Sequence, residues 1–218
     1  MTKEVKILIA IAVVVIAGGV ALAIFANPQS SQPGKAVDAQ SLIRDTSHMT
    51  KQASAKVSLV EFGDYECPAC ENAYPKVKEV LDFYKDKDVN FVFRNFPLES
   101  IHPNARIGAE AAEAAAKQGK FWEMHDMLYD KQSEWSVASD PTADLESYAN
   151  ILGLDLNKFK VDLSQHLSKD IIDADLKDGN SLGINSTPTF YINGVKVDTQ
   201  GVPSVDDLKK GIDEALAK

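Results

Sequence analysis

The longest apolar run comes first. Ile7 to Ala26 (ILIAIAVVVIAGGVALAIFA) holds 20 residues without a charge, a polar side chain or a proline. As a helix it would extend about 30 Å, the thickness of a bilayer's hydrocarbon core. The pattern predicts a transmembrane anchor over 7–26 and a cytoplasmic tail over 1–6, with Lys3 and Lys6 on the inner side. A cleaved signal peptide is the alternative. Its apolar stretch is typically shorter, ~7–15 residues, although Ala21-Leu22-Ala23 offers a small-x-small cleavage site. Either reading places the rest of the chain outside the cytoplasm, where disulfides persist. Residues 27–51 carry Pro28, Pro33, Gly34 and many Ser and Gln with little apolar periodicity. They read as a linker, with a short helix around 39–44 and with His48 and Met49 as ordinary linker residues.

The pattern changes at residue 52. Val57-Ser58-Leu59-Val60-Glu61-Phe62 is a short β-branched and aromatic run, expected as a buried strand. Val77, Val80, Leu81 and Tyr84 then recur at helical spacing, and Val89–Phe96 reads as a second strand. Strand, helix and strand make a βαβ unit with parallel strands. A helical region follows: the Ala-rich stretch 104–118, stopped by Gly119, then a helix presenting Phe121, Met124 and Leu128. Asp140-Pro141 opens another helix that ends at Gly153, and Leu156, Phe159 and Leu163 mark a short one. Ser168–Leu182 forms one more, with Ile171, Ile172, Leu176 and Leu182 facing inward. β structure returns with Thr189–Ile192, an Asn193-Gly194 hairpin turn and Val195–Val197. Ser204 caps a last helix carrying Val205, Leu208, Ile212 and Leu216.

Composition narrows the function classes. With 44% apolar and 25% charged residues the chain has enough apolar material for a packed core. A net charge of −9, without a Lys/Arg cluster, argues against nucleic acid. Only two cysteines are present, three positions apart, so they do not form a disulfide framework.

The pair Cys67-Pro68-Ala69-Cys70 sits between a strand and a helix, the context of a redox motif. A thiolate is the attacking species, and free N–H groups with the positive dipole end at a helix N-terminus stabilise it. Pro68 suits the first helical turn, which needs no N–H from it. Cys67 is therefore the candidate nucleophile and Cys70 the resolving thiol. A metal site lacks ligands, since His102, His125 and His166 are scattered and no other cysteine exists. A static disulfide closing so small a loop gains little. His102 is expected at a helix start, His125 packed or half exposed, and His166 at the surface. Asp64 and Glu66 read as exposed loop charges that slightly oppose a thiolate.

The run Val60-Glu61-Phe62-Gly63-Asp64-Tyr65-Glu66-Cys67-Pro68-Ala69-Cys70, with Pro75, resembles the DsbA-like thioredoxin-fold thiol–disulfide oxidoreductases, and within them the membrane-tethered, BdbD-like forms. Phe96-Pro97-Leu98 with His102-Pro103, Gln118–Trp122 with Met124-His125, and Thr187-Pro188-Thr189-Phe190 extend the likeness over about 52–218. The expected fold is α/β: a thioredoxin-like domain over 52–218 with a helical insertion at about 98–165, preceded by one N-terminal transmembrane helix.

The resemblance implies a cis bond before Pro188, with Thr187 offering backbone groups to an extended substrate peptide. Glu61 has two readings. As an acid in an apolar strand its side chain could reach water at the strand end, whereas the resemblance implies a buried acid relaying a proton to or from Cys70. It further implies an oxidase that gives its Cys67–Cys70 disulfide to exported polypeptides with free thiols, without metal or external cofactor. A quinone-linked membrane partner of DsbB or vitamin K epoxide reductase type would reoxidise the pair. A reductase or isomerase of the same fold, and a non-catalytic peptide- or metal-binding protein, are the rival readings. The expected state is a monomer, with the catalytic domain outside a membrane it crosses once.

Overall fold

The sheet that carries the cysteine pair has five strands: β1 (His48–Met49), β2 (Val57–Gly63), β3 (Val89–Asn95), β4 (Thr189–Ile192) and β5 (Val195–Lys196), in the order β1-β3-β2-β4-β5. β2 and β3 run parallel, and the other pairs are antiparallel. Helix α1 (Ala39–Leu42) precedes β1, and α2 (Pro68–Phe83) makes the crossover from β2 to β3. Five helices follow: α3 (Ala105–Ala116), α4 (Phe121–Asp130), α5 (Gln132–Trp135), α6 (Thr142–Ile151) and α7 (Leu156–Ser164). Then α8 (Lys169–Ser181) leads back to β4, and α9 (Val205–Leu216) closes the chain. The computed structural model describes residues 36–51, 54–199 and 201–218. The segment 7–26, expected to cross a membrane, lies outside the described residues, and no described helix is long and apolar enough to cross one.

Both central strands are buried along their whole length. A strand covered on both faces reads as a continuous apolar run, as Val57–Phe62 does. Alternation then divides its side chains. Val57 and Leu59 join the cluster under α2, α4 and α9, while Val60 and Phe62 join Leu42, Val92, Phe96, Ile184 and Tyr191 on the other face. Each such large apolar side chain contributes about 1.5–3 kcal/mol on burial. α3 is Ala-rich because it is buried nearly all round, from Ala105 to Ala115. The turn between β4 and β5 has Asn193 at φ 45° and Gly194 at φ 85°. Both need the left-handed region, and a Cβ at 194 would collide with the Val37 carbonyl. α9 opens with a capping box in which the Ser204 hydroxyl accepts from Asp207 N–H.

Two expectations change here. His48 and Met49 are not ordinary linker residues: they form β1 and pair with Phe93 and Val92. The His48 ring stacks on Phe121 at 3.5 Å, and its Nε2 lies 2.9 Å from Glu113 Oε1. The physical reason for this docking lies in Arg94, whose side chain is fully buried. Its guanidinium needs several acceptors, and finds the Leu42 carbonyl at 2.6 Å, Asp175 at 2.6 Å and Asp178 at 2.6 Å. The residues before β1 thereby supply part of the shell of a buried cation. The inward face of α8 differs for the same reason. Ile172, Asp175 and Gly179 are its buried residues, while Ile171, Leu176 and Leu182 are only partly covered.

Candidate active site

The site begins where β2 runs out. Gly63 ends the strand, and a Cβ there would collide with the Phe93 ring. Asp64, Tyr65 and Glu66 form the link to α2. The chain is held in that turn by Cys67 N–H donating to Asp64 O at 3.1 Å, and by Asp64 Oδ1 accepting from Glu66 N–H at 2.8 Å. Cys67 is the N-cap of α2, with extended backbone (φ −73°, ψ 120°) and no side-chain cap bond. Its sulfur thus faces a helix start whose first N–H groups have no intrahelical partner. Pro68 occupies the first helical turn and Cys70 lies one turn in, fully buried. Both cysteines are free thiols.

The two sulfurs have opposite electrostatics. The Cys67 thiol is brought down to about 5, first by hydrogen bonding to the Cys70 thiol and, against a desolvation penalty, by Thr187 and the N–H groups of Cys70 and Ala69. Cys70 is pushed well above the ordinary thiol range, first by burial, then by Cys67 and Glu61. At neutral pH the arrangement holds one thiolate and one thiol.

The third wall is the segment before β4. The Thr187–Pro188 peptide bond is cis, as the resemblance implied. Thr187 O lies 3.5 Å from Cys67 Sγ. Ala69, Thr187, Pro188, Phe190, Lys196 and Asp198 line a cleft of about 310 Å³.

Glu61 does not reach water at the strand end. It is 3% exposed, on the α2 face of the sheet, and burial followed by the Cys67 charge pushes its carboxyl up to about 8. The structure therefore gathers Glu61, Cys67, Pro68, Ala69, Cys70, Thr187 and Pro188 around one end of the sheet. Among the described residues no group of His, Cys, Asp and Glu could hold a metal ion.

A family model described as thioredoxin matches residues 44–214. The chain belongs to the thioredoxin family. Its solved structural neighbours include a thioredoxin-like oxidoreductase and BdbD. It superposes on a thioredoxin-like oxidoreductase from Silicibacter pomeroyi DSS-3 with TM-score 0.69 and 25% identity, covering 84% of this chain and 99% of that one. With oxidised BdbD from Bacillus subtilis the TM-score is 0.67 and the identity 26%, over 78% and 92%. Among curated proteins, Na(+)/H(+) antiporter NhaA 1 of Salinispora arenicola is 38% identical over 173 residues, 79% of this chain and 25% of the antiporter. The chain thus spans about a quarter of the length of the curated relatives it matches.

Around this thioredoxin-family site several residues have other places than the sequence suggested. Asp64 is 1% exposed rather than a loop charge. Its Oδ2 accepts from Leu98 N–H at 2.9 Å and lies 2.7 Å from His102 Nδ1, so its charge is spent on fixing two loops. Glu66 accepts from Asn104 N–H at 2.6 Å and caps the approach to α3. Neither carboxylate is among the groups that set the Cys67 thiol. Gln132, in the helical region, was missed. It is buried and its Nε2 donates to Tyr65 O at 2.8 Å and Cys67 O at 3.1 Å. Nothing in its sequence neighbourhood signals that role, because the contact spans 65 positions.

Proposed function

We propose that the chain is an extracytoplasmic protein-disulfide oxidoreductase working as a dithiol oxidase, which introduces disulfides into exported polypeptides through Cys67 and Cys70. The observation that carries the direction is the asymmetry of the pair: a stabilised Cys67 thiolate at a helix start, above a buried Cys70 thiol. Stabilising the reduced form makes a disulfide more oxidising, and a low-pKa thiol is the better leaving group.

The reaction follows from that geometry. A substrate thiolate attacks Cys67 Sγ, the Cys67–Cys70 bond breaks, and Cys70 leaves with the electron pair. Cys70 cannot stay charged where it is buried, so it takes a proton, which Glu61 is placed to supply as a carboxylic acid. The substrate's second thiolate attacks its own sulfur in the mixed disulfide, and Cys67 departs as the stabilised thiolate. Two electrons have moved from the substrate dithiol to the cysteine pair, which is itself the redox centre. During the exchange the backbone of Thr187, before Pro188, offers strand-type hydrogen bonds to an extended peptide. A quinone-linked membrane partner of DsbB or vitamin K epoxide reductase type restores the disulfide. Residues 7–26 hold the enzyme, a monomer, to the membrane as a single span.

The test is the equilibrium potential of the pair in glutathione buffers. A value well above about −270 mV, the thioredoxin potential, supports the oxidase, whereas a value near it assigns the chain to a reducing role.

A further inference from the structure

Between α2 and α4 lies a cavity of about 240 Å³ that holds neither cysteine of the pair. Its walls follow from periodicity. Tyr74, Val77, Lys78 and Leu81 of α2 face Trp122, His125, Asp126 and Tyr129 of α4. Both sets have the spacing i, i+3, i+4, i+7, one stripe of each helix. Phe91 of β3 and Glu61 of β2 also line it. At its edge Lys78 Nζ bridges Asp126 at 2.9 Å and Tyr74 Oη at 2.8 Å, and this ion pair is half exposed.

Two polar groups in the lining can meet a ligand, one of them without a partner and the other shared with the redox chemistry. Tyr129 is 2% exposed, and its hydroxyl has no hydrogen-bond partner among the described residues. Glu61, pushed up to about 8, carries a proton at neutral pH and so has a donor to offer. Unfilled apolar volume destabilises a fold in proportion to its size. An engineered cavity of ~150 Å³ suffices for benzene, so this one has room for a substituted ring. Aromatic walls favour a ring in edge or offset contact. The unpaired hydroxyl and the protonated acid favour a hydroxyl on that ring.

We propose that the α2–α4 cavity is a binding site for a small neutral aromatic of the phenol class, its ring among Tyr74, Trp122 and His125 and its hydroxyl toward Tyr129 and Glu61. A carboxylated ring is disfavoured, because the cation of the lining, Lys78, is already paired with Asp126 and a second anion would lose its hydration without a free counter-charge. The proposal is independent of the redox direction.

The test uses the detergent-solubilised full chain and three probes followed by fluorine NMR: 4-fluorophenol, fluorobenzene and 4-fluorobenzoate. 4-Fluorophenol saturates with Kd of about 1 mM or tighter, fluorobenzene binds at least about threefold more weakly, and 4-fluorobenzoate does not saturate. Val77→Trp, which fills the cavity, weakens 4-fluorophenol by about tenfold or more. Tyr129→Phe, which keeps the ring, removes the advantage of 4-fluorophenol over fluorobenzene and serves if Val77→Trp does not fold. The proposal is overturned if no probe saturates, if folded Val77→Trp binds like the parent, or if Tyr129→Phe leaves the probe ranking intact.

Discussion

Replacing Cys70 by alanine removes the largest stabiliser of the Cys67 thiolate, the hydrogen bond from the neighbouring thiol. A hydrogen bond to a charged group contributes about 1.5–3 kcal/mol, and a tenfold change in acidity corresponds to about 1.4 kcal/mol. Sulfur is a weak donor and the Cys67 thiol only partly desolvated, so the lower half of that range applies. Cys67, which titrates at about 5 in the parent, should therefore titrate about 1–1.5 pH units higher in Cys70→Ala. The assay is thiolate absorbance near 240 nm against pH, with Cys67→Ser as the blank. A midpoint still at the parental value would refute the claim that the second thiol holds the first as an anion.

The lowered acidity range of Cys67 also sets how the reduced protein's stability depends on pH. The folded thiol titrates below its unfolded value of about 8.5. The gain is thus complete above about 8.5, declines as pH falls and is lost as pH passes down through about 5. At pH 7, about two pH units above the folded midpoint, the gain is nominally about 2.7 kcal/mol, which solvent screening near the surface reduces to about 1–2 kcal/mol. In a two-electron couple that makes the pair about 20–40 mV more oxidising than one with an ordinary thiol.

Glu61→Gln removes the proton donor while keeping the volume. Dithiol-peptide oxidation should slow by about 10²-fold and lose its inflection near 8; a pH profile identical to the parent's would exclude the role. Asp64→Ala leaves Glu66 and Leu98 N–H and His102 without their acceptor. It should cost about 2–4 kcal/mol, read as a fall of about 5–15 °C in thermal midpoint, and an unchanged midpoint would contradict the role given to that carboxylate. His125 is 4% exposed and its imidazole is held down to about 3, mainly by burial. Its folded pKa lies below the unfolded value of about 6.5. Stability is therefore full above about 6.5 and falls by up to about 4–5 kcal/mol as the pH drops toward 3. His125→Phe should flatten acid unfolding in that window, and an acid transition as steep as the parent's would rule out His125 as its source.

Local rules found most of the framework. The apolar run Val57–Phe62, the Asn193-Gly194 turn and Ser204 before an amphipathic stretch each carry their structure in adjacent residues, so the strand, hairpin and capped helix stand where the pattern put them. The cysteines were legible because the chemistry needs them at a helix start, one turn apart. What escaped was long-range charge pairing. Arg94 looks like a polar interruption of a strand, yet its partners come from 52 and 81 positions away. The docking of 36–51 and the buried face of α8 follow from it. Asp64 looked exposed for the same reason, since Leu98 and His102 reach it through the fold. Glu61 showed its oddity in sequence, and its burial runs against the reading that took its side chain to water.

The most direct measurement of the central claim is the trapping of a mixed disulfide. The full chain carrying Cys70→Ser, preloaded as a Cys67 mixed disulfide with a small thiol, is mixed with a reduced cysteine-containing peptide at pH 7, and adducts are resolved by non-reducing mass spectrometry. The account predicts exchange onto the peptide through Cys67, and no adduct in Cys67→Ser. A peptide adduct on Cys70 in Cys67→Ser, at a rate matching Cys67 in Cys70→Ser, would contradict it.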